Sequence, residues 1–339
     1  MTAIGDAVSR KPGRPAGGAA SVQIPWFEIG LLYAVLGALV LTDLVFAASG
    51  GFSIVPNVPL QDSVYALFFA GIGAVYAVTG RSPALATLLF AVAALIFGAP
   101  AIMSLDFMTK ALGFPLADPA LSAWDVQLGL DWITYERWFS SHLWLSDMGG
   151  ILYTCAPLVV LAALVALAAA QRLRDLVWFA IVTSTTLIAC VIIGGFLPAA
   201  GPYQFYGVPD GGKAFWVQTL MQVVAERPRL IDLGSQPPMT TFPSFHTTLA
   251  VLATVACWRI RRFGPLFAAF NLFWALSIPV WGSHYFIDSI VGAVVAIAGY
   301  GLVGAIARFR SGRTMPSGDA PIQIERSRGI VGVAQEAGE

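Results

Sequence analysis

The stretch GSHYFIDSIVGAVVAIAGYGLV, residues 282–303, joins an ionisable pair to an apolar run. His284 and Asp288 stand four residues apart, which on a helix places both side chains on one face and within reach of each other. The carboxylate can then hold one imidazole nitrogen as a donor and leave the other nitrogen free to attack or to accept a proton. Because ionisable residues are costly at the entry to a membrane helix, the pair predicts a functional site.

A second histidine, His246, ends the run FPSFH, residues 242–246, at the start of another apolar segment. Pro243 suits the first turn of a helix, and the free N–H groups of such a turn favour a phosphate. Ser244 either caps this helix or binds a phosphate, and the residues alone leave both interpretations open. The third histidine, His142, has no partner motif and is interpreted as an ordinary surface residue.

The composition is that of a membrane protein. Hydrophobic residues make up 57% of the 339 residues and charged residues only 11%, against roughly 25% charged in a usual soluble domain. The formal net charge of zero argues against nucleic acid as a partner. The three cysteines lie far apart in apolar segments, which predicts packing rather than a disulfide framework or a zinc cluster.

The predicted fold is an all-α, polytopic membrane helical bundle. We expect a flexible cytoplasmic tail (1–25), transmembrane helices with an interfacial amphipathic region (26–148), a catalytic helical core (149–308) and a second flexible cytoplasmic tail (309–339). Eight stretches are long and apolar enough to cross a bilayer, namely residues 27–49, 64–80, 83–104, 149–170, 175–197, 243–260, 264–282 and 285–308.

The distribution of basic residues predicts the orientation. With the N-terminus in the cytoplasm and alternating crossings, fourteen of the 19 Lys and Arg residues fall inside. Both termini are then cytoplasmic, and His246, His284 and Asp288 share the outer face. The five basic residues on the outer side are Lys110, Arg137, Lys213, Arg227 and Arg229.

Two of these motifs carry a family resemblance. The runs FPSFH (242–246) and GSHYFID (282–288) resemble the second and third signatures of the type 2 phosphatidic acid phosphatase (PAP2) superfamily. Phe245 and the loop PAAGPY (198–203) are similar to the branch that contains inositol phosphorylceramide synthases. The resemblance covers roughly residues 150–305.

The resemblance implies roles for individual residues. His284 matches the nucleophile that forms a phosphohistidine, and Asp288 the acid that orients it. His246 matches the general acid that protonates the leaving oxygen and then activates the acceptor. Ser244 matches a phosphate-binding position, and Tyr203 on the preceding loop is an expected substrate contact. None of this chemistry requires a metal or a cofactor.

The sequence also departs from the superfamily pattern. Leu220 and Ile278 stand where lipid phosphatases carry a Lys and an Arg. A phosphoryl group in transfer needs cationic compensation, which we expect from Lys213, Arg227 or Arg229, with Arg229 favoured.

Several functions remain open at this point. The leading hypothesis is an integral-membrane phosphotransferase or phosphatase acting on a lipid phosphate or phosphodiester, inositolphosphotransferase-like. A lipid, a polyol or water would accept the group, and a phosphatidate or polyprenyl phosphate phosphatase is the alternative. Further alternatives are a metal-dependent lipid hydrolase with His246, His284 and Asp288 as ligands, and a non-catalytic lipid-binding protein. The expected location is a bacterial inner membrane, with the site facing the periplasm.

Overall fold

A computed structural model describes residues 23–261 and 263–313 of the chain. Most residues of the predicted tails, 1–22 and 314–339, lie outside the described part. Among the described residues, one compact unit ends at Val303, and residues 304–313 belong to a second unit. Within the described part, thirteen helices and two short strands follow one another: α1 (Trp26–Gly50), β1 (Ser53–Ile54), α2 (Asn57–Thr79), α3 (Pro83–Lys110), α4 (Asp118–Gln127), α5 (Trp132–Ser141), α6 (Leu143–Thr154), α7 (Ala156–Ala169), α8 (Leu173–Phe196), α9 (Pro202–Tyr206), α10 (Val217–Glu226), β2 (Leu230–Ile231), α11 (Phe245–Cys257), α12 (Gly264–Trp281) and α13 (Phe286–Arg313).

The predicted all-α membrane bundle is confirmed. Fewer than eight helices of the described part, however, are long and apolar enough to cross a membrane as single unbroken helices. By length and composition, six helices of the described residues can cross a membrane: α1, α2, α3, α8, α12 and α13. The segment predicted at 149–170 is instead a pair, α6 and α7, bent by 65°. Pro157 in the first turn of α7 explains the break, because proline cannot donate the backbone hydrogen bond that would continue α6.

The segment predicted at 243–260 is also shorter than expected. Helix α11 has 13 residues, so its length is about 20 Å at ~1.5 Å per residue. The hydrocarbon core of a bilayer is about 30 Å thick. Ser244 starts α11 by accepting a hydrogen bond from the Thr247 amide (3.4 Å), so Pro243 and the residues before it are not helical.

Helix α8 is the centre of the bundle. It packs against α1, α3, α7 and α11, and 61% of its most apolar window is buried, against 11% for α2. Leu176, Val177 and Ala180 contribute to the main apolar core without exposed surface. Helix α11 is therefore packed against the most deeply buried of the candidate membrane spans in the described part.

A layer of short elements joins the ends of the long helices. Strands β1 and β2 pair in parallel, with Ser53 opposite Leu230 and Ile54 opposite Ile231. A second apolar core unites α3, α5, α9 and α10, and it includes the buried side chains of Phe107, Trp132 and Tyr203. The long segment between α8 and α11 is thus folded onto the bundle.

Helices α11 and α13 meet closely at their N-terminal ends. The Ser244 amide donates to the Asp288 carbonyl oxygen (3.0 Å), and the Thr248 hydroxyl donates to the Gly292 carbonyl oxygen (2.8 Å). A Cβ at position 292 would collide with the carbonyl oxygen of Ser244. Glycine at this position therefore permits the approach of the two backbones.

We expect Gly292→Ala to push α11 and α13 apart, because the obstructing atom belongs to the backbone. Overpacking of this kind costs about 1–3 kcal/mol, measurable as a lower melting temperature of the detergent-solubilised protein. Gly301→Ala on the same helix is the control, since a Cβ there meets no described atom within 4 Å. An unchanged melting temperature of the Gly292→Ala variant would refute the close approach.

Candidate active site

His284, Asp288 and Ser244 are brought together at the start of α13. His284 lies in the turn between α12 and α13 and is 2% exposed, while Asp288 and Ser244 are fully buried. The Nδ1 atom of His284 is 3.2 Å from the Asp288 Oδ2, and the Nε2 atom is 3.3 Å from the Ser244 Oγ. In the tautomer in which Nδ1–H donates to the Asp288 carboxyl group, Nε2 carries the lone pair.

The Asp288 carboxylate also organises the turn that carries His284. Its Oδ2 accepts a hydrogen bond from the Tyr285 amide (3.0 Å). The preceding residue, Ser283, has a positive φ of 50°, a conformation that costs a residue with a Cβ free energy. The turn therefore holds the imidazole at one orientation.

His246 faces His284 from the first turn of α11. The two ring centroids are 6.3 Å apart. The His246 ring stacks on Tyr153 of α6 at 4.2 Å and meets the edge of Trp274 at 5.9 Å. Aromatic packing rather than a carboxylate thus positions the second histidine.

His284 is neutral in this environment. Burial lowers the pKa of His284, and the neighbouring His246 acts in the same direction. A neutral imidazole has the free lone pair that a nucleophile needs.

Two aspartates of α4 support this turn from outside the bundle. The Asp125 carboxylate accepts hydrogen bonds from the amides of Phe286 and Ile287, both at 2.8 Å. It thereby caps α13 beside the reactive histidine. Because no sequence motif connects position 125 to α13, the sequence analysis missed this contact.

Asp118 fixes the neighbouring loop. Its oxygens accept hydrogen bonds from the amides of Ala200 (2.9 Å) and Gly201 (2.7 Å) and from the hydroxyl of Tyr285 (3.0 Å). The loop 198–203, which the resemblance singled out, is therefore tied to the residue that follows His284.

Two of the three basic residues that we expected at the site, Arg227 and Arg229, make their described contacts away from it. Arg227 is exposed and donates to the Gly113 carbonyl oxygen at 3.4 Å. Arg229, the favoured candidate, is also exposed and lies over the ring of Phe52 at 4.6 Å. Among the described contacts, neither guanidinium reaches a histidine of the site.

Lys213 and Tyr203 form a cluster beside the site. The Lys213 Nζ donates to the Tyr203 hydroxyl at 3.1 Å and lies 3.7 Å from the Glu136 Oε1. It also lies 5.5 Å from the centre of the Trp281 ring, one residue before Gly282. Lys213 is thus the nearest of the three to the His284 turn, although no described contact joins it to His284.

The two positions at which lipid phosphatases carry a Lys and an Arg are part of the packed core in this protein. Leu220 and Ile278 are both fully buried, and each belongs to an apolar cluster. Apolar side chains are therefore suited to these positions.

A buried lysine that the sequence analysis placed in an outer loop lies close to the site. Lys110 ends α3 and is 1% exposed. Its Nζ contacts the Asp106 Oδ1 (3.1 Å) and the Thr240 Oγ1 (3.0 Å). Thr241, the next residue, has its backbone against the His284 imidazole. A fully buried cation thus lies behind the loop that carries the FPSFH motif.

A cavity of about 570 Å³ opens between α3, α7, α8 and α11. One end is polar and includes Asp106, Thr240 and His246, and the remaining wall is overwhelmingly apolar. The cavity therefore combines a polar end next to His246 with an apolar chamber.

Over residues 23–261 and 263–313, no group of three His, Cys, Asp or Glu side chains is arranged to hold a metal ion. His246, His284 and Asp288 do not form such a group.

Comparison with known proteins identifies one family. A family model described as the PAP2 superfamily matches residues 119–302, which is more than half of the chain. The match contains most of α4, including Asp125, as well as both histidine motifs. No curated protein and no solved structure matches the chain.

We expect Asp125→Ala to lower the melting temperature, because two buried amides of α13 lose their acceptor at about 1–3 kcal/mol. Asp125→Asn keeps one acceptor oxygen and should lose less. Asp147→Ala, an exposed aspartate of α6, is the matched control and should leave the melting temperature unchanged. An Asp125→Ala protein as stable as the wild type would show that α13 does not depend on this cap.

Proposed function

We propose that this chain, which belongs to the PAP2 superfamily, is an integral-membrane lipid phosphotransferase that works through a phosphohistidine on His284. One observation carries the proposal. The buried His284 imidazole lies with Nδ1 3.2 Å from Asp288 Oδ2 and Nε2 3.3 Å from Ser244 Oγ, and the ring of a second histidine, His246, is 6.3 Å away. This arrangement matches a nucleophile, an orienting acid and an acid–base partner.

In the proposed first step, the Nε2 lone pair of His284 attacks the phosphorus of the lipid substrate. An N–P bond forms as the bond from phosphorus to the leaving oxygen breaks, and protonated His246 gives its proton to that oxygen. Asp288 stabilises the positive charge that develops on the imidazole.

In the second step, neutral His246 takes the proton from an acceptor hydroxyl. The acceptor oxygen attacks phosphorus, the N–P bond breaks and His284 is regenerated. His246 therefore alternates between acid and base.

The transferred group would lie against the N-terminus of α11. The first turn of a helix favours anions, and the Ser244 hydroxyl at the start of α11 is 3.3 Å from the Nε2 atom of His284. We assign the cationic compensation to Lys110, because its partners Asp106 and Thr240 share the cavity wall with His246. Lys213 would contribute from the cluster with Tyr203, whereas Arg227 and Arg229 are left out of the site.

The small number of buried cations favours a phosphodiester substrate over a monoester. Leu220 and Ile278 are apolar and packed, and Lys110 is partly neutralised by Asp106. A diester carries less negative charge than a monoester, so one paired lysine is sufficient compensation. The proposed activity is thus inositolphosphotransferase-like, with a lipid, a polyol or water as acceptor. Phosphatidate or polyprenyl phosphate hydrolysis is the second candidate, supported by the shared chemistry.

The proposed location is a bacterial inner membrane with both termini in the cytoplasm. Fourteen of 19 basic residues favour this orientation. In this orientation the site faces the periplasm, and α11 crosses the membrane as a short helix.

Trapping the intermediate tests the proposal. Purified protein in detergent with EDTA is given radiolabelled phosphodiester lipids and lipid phosphates and is quenched rapidly. We expect an acid-labile label on the wild type and on His142→Ala, an exposed histidine, but not on His284→Ala. A labelled phospho-headgroup would identify a transferase of diesters, and a bare phosphate would identify a phosphatase. Absence of label, with activity that requires added metal, would overturn the phosphohistidine.

The assignment of Lys110 predicts a separate kinetic effect. Lys110→Met should lower kcat by about 10²–10³-fold, the usual loss for one charge-stabilising donor, while Arg227→Met should change it by less than about threefold. Since Lys110→Met leaves Asp106 without its cation, the double variant Lys110→Met/Asp106→Asn is measured beside it. Full activity of the double variant would remove Lys110 from the mechanism.

A further inference from the structure

His246 has aromatic rings around it where His284 has a carboxyl group. A general acid must carry its proton before the leaving oxygen arrives, so His246 has to exist as the positively charged imidazolium. Among the described contacts, no carboxylate forms a hydrogen bond or an ion pair with His246, in contrast to His284 with Asp288. A charge in a partly buried position is costly unless a neighbouring group stabilises it.

The ring of Tyr153 lies face to face with the His246 imidazole. The two ring centroids are 4.2 Å apart, and the planes are inclined by only 25°. The face of an aromatic ring carries negative electrostatic potential, and a cation within about 6 Å of the ring centroid is attracted to it. A protonated His246 therefore meets the favourable side of the tyrosine ring.

Contacts between α6 and α12 fix the position of the tyrosine. A Cβ at position 150, one turn before Tyr153, would collide with the indole ring of Trp281, so the two helices approach closely. The Trp281 Nε1–H donates to the Ser146 carbonyl oxygen at 2.8 Å. Tyr153 thus belongs to a helix that is tied to the end of α12, three residues before the His284 turn begins.

We propose that Tyr153 is a positioning residue that stabilises the imidazolium form of His246 through a cation–π interaction between the two stacked rings. The inference rests on the proposed function only for the use of the proton, since the interaction exists in the protein without substrate. After His246 has given its proton to the leaving oxygen, the neutral imidazole loses this attraction.

The elements packed against α11 bring no other charge to the imidazole. Helices α7 and α12 carry no titratable side chain, and Asp147 of α6 is exposed. The charged residues of α8, Arg174 and Asp175, lie in its first turn, whereas its contact with Thr248 of α11 is made by Cys190 near the other end.

Two further titratable groups lie near His246. The ring of His284 is 6.3 Å away, and a positive charge on one histidine disfavours a positive charge on the other. Asp106 lines the same cavity, but its carboxylate is paired with Lys110 at 3.1 Å. Tyr153 is therefore the described group in direct ring contact that favours protonation of His246.

Histidine NMR tests the interaction without any substrate. The chain has only three histidines, so the ring signals of histidine-labelled protein in detergent are assigned with His142→Ala and His284→Ala. We expect Tyr153→Leu to lower the pH of half-protonation of His246 by about 0.4–1.5 units, because only the charged form loses a stabilising contact. Tyr153→Phe keeps the ring face and should retain most of the wild-type value.

The matched control is Tyr65→Leu, which removes a tyrosine ring that is 49% exposed on α2 and should leave the titration of His246 unchanged. An unchanged or higher pH of half-protonation in Tyr153→Leu would overturn the proposal. Loss of packing alone admits water and favours the charged form, so it changes the titration in the opposite direction.

Fluorinated phenylalanines at position 153 separate the charge distribution of the ring from its packing. Phenylalanine, 4-fluorophenylalanine and 3,4,5-trifluorophenylalanine are introduced by stop-codon suppression, and melting temperatures confirm that each protein is folded. Fluorine withdraws electrons from the ring face with little change of shape, so the pH of half-protonation of His246 should fall with each step. A value that is independent of fluorination would overturn the cation–π interaction.

The rate of phosphohistidine formation tests the consequence for the reaction. Labelling by a radiolabelled phosphodiester lipid slows as His246 loses its proton, so the alkaline limb of its pH profile should move to lower pH in Tyr153→Leu by the amount that NMR measures. A shift in the NMR titration without phosphohistidine in the wild type would uphold the interaction and reject only the proposed function. Phosphohistidine in the wild type without the NMR shift would reject only the role of Tyr153.

Discussion

The hydrogen bond from the Ser244 amide to the Asp288 carbonyl oxygen is the contact on which the site depends. It joins the first residues of two membrane helices that are distant in sequence, and Gly292 permits the required closeness. Because both helices begin here, the polar side chains of Ser244 and Asp288 share one buried space. His284 then lies between the carboxyl group of Asp288 on α13 and the hydroxyl of Ser244 at the start of α11.

The elements outside the bundle stabilise this arrangement at some distance from the histidines. Asp118 and Asp125 lie about two turns apart on the short helix α4 and accept five hydrogen bonds from the loop 198–203 and from the start of α13. A helix that looks peripheral in the sequence is thus a support for the reactive turn. Tyr153 and Trp274 have the corresponding role for His246, through ring contacts.

Local spacing was sufficient to predict the contact between His284 and Asp288, while the supporting contacts needed the folded chain. The interval of four residues between His284 and Asp288 determines their contact on one turn of helix, and alternation of the spans placed His246 on the same face. Nothing in the sequence connects Asp125 to α13 or Lys110 to Thr240, since these pairs are separated by more than a hundred residues. Arg229 was favoured among the three basic residues of the loop before His246, yet its side chain lies over Phe52. Pro157 is present in the sequence, but the apolar composition around it predicted one continuous span instead of two helices with a bend between them.

The bend at Pro157 separates the residue that stacks on His246 from residues that line the cavity. Tyr153, which stacks on His246, belongs to α6, whereas Pro157, Val160 and Leu164 of α7 form part of the cavity wall. A substitution in α7 therefore alters the volume and shape of the cavity without touching the ring that stacks on His246. The shape of the cavity and the packing of His246 are thus free to diverge separately during evolution, and α7 is the segment to vary when the cavity is to be reshaped.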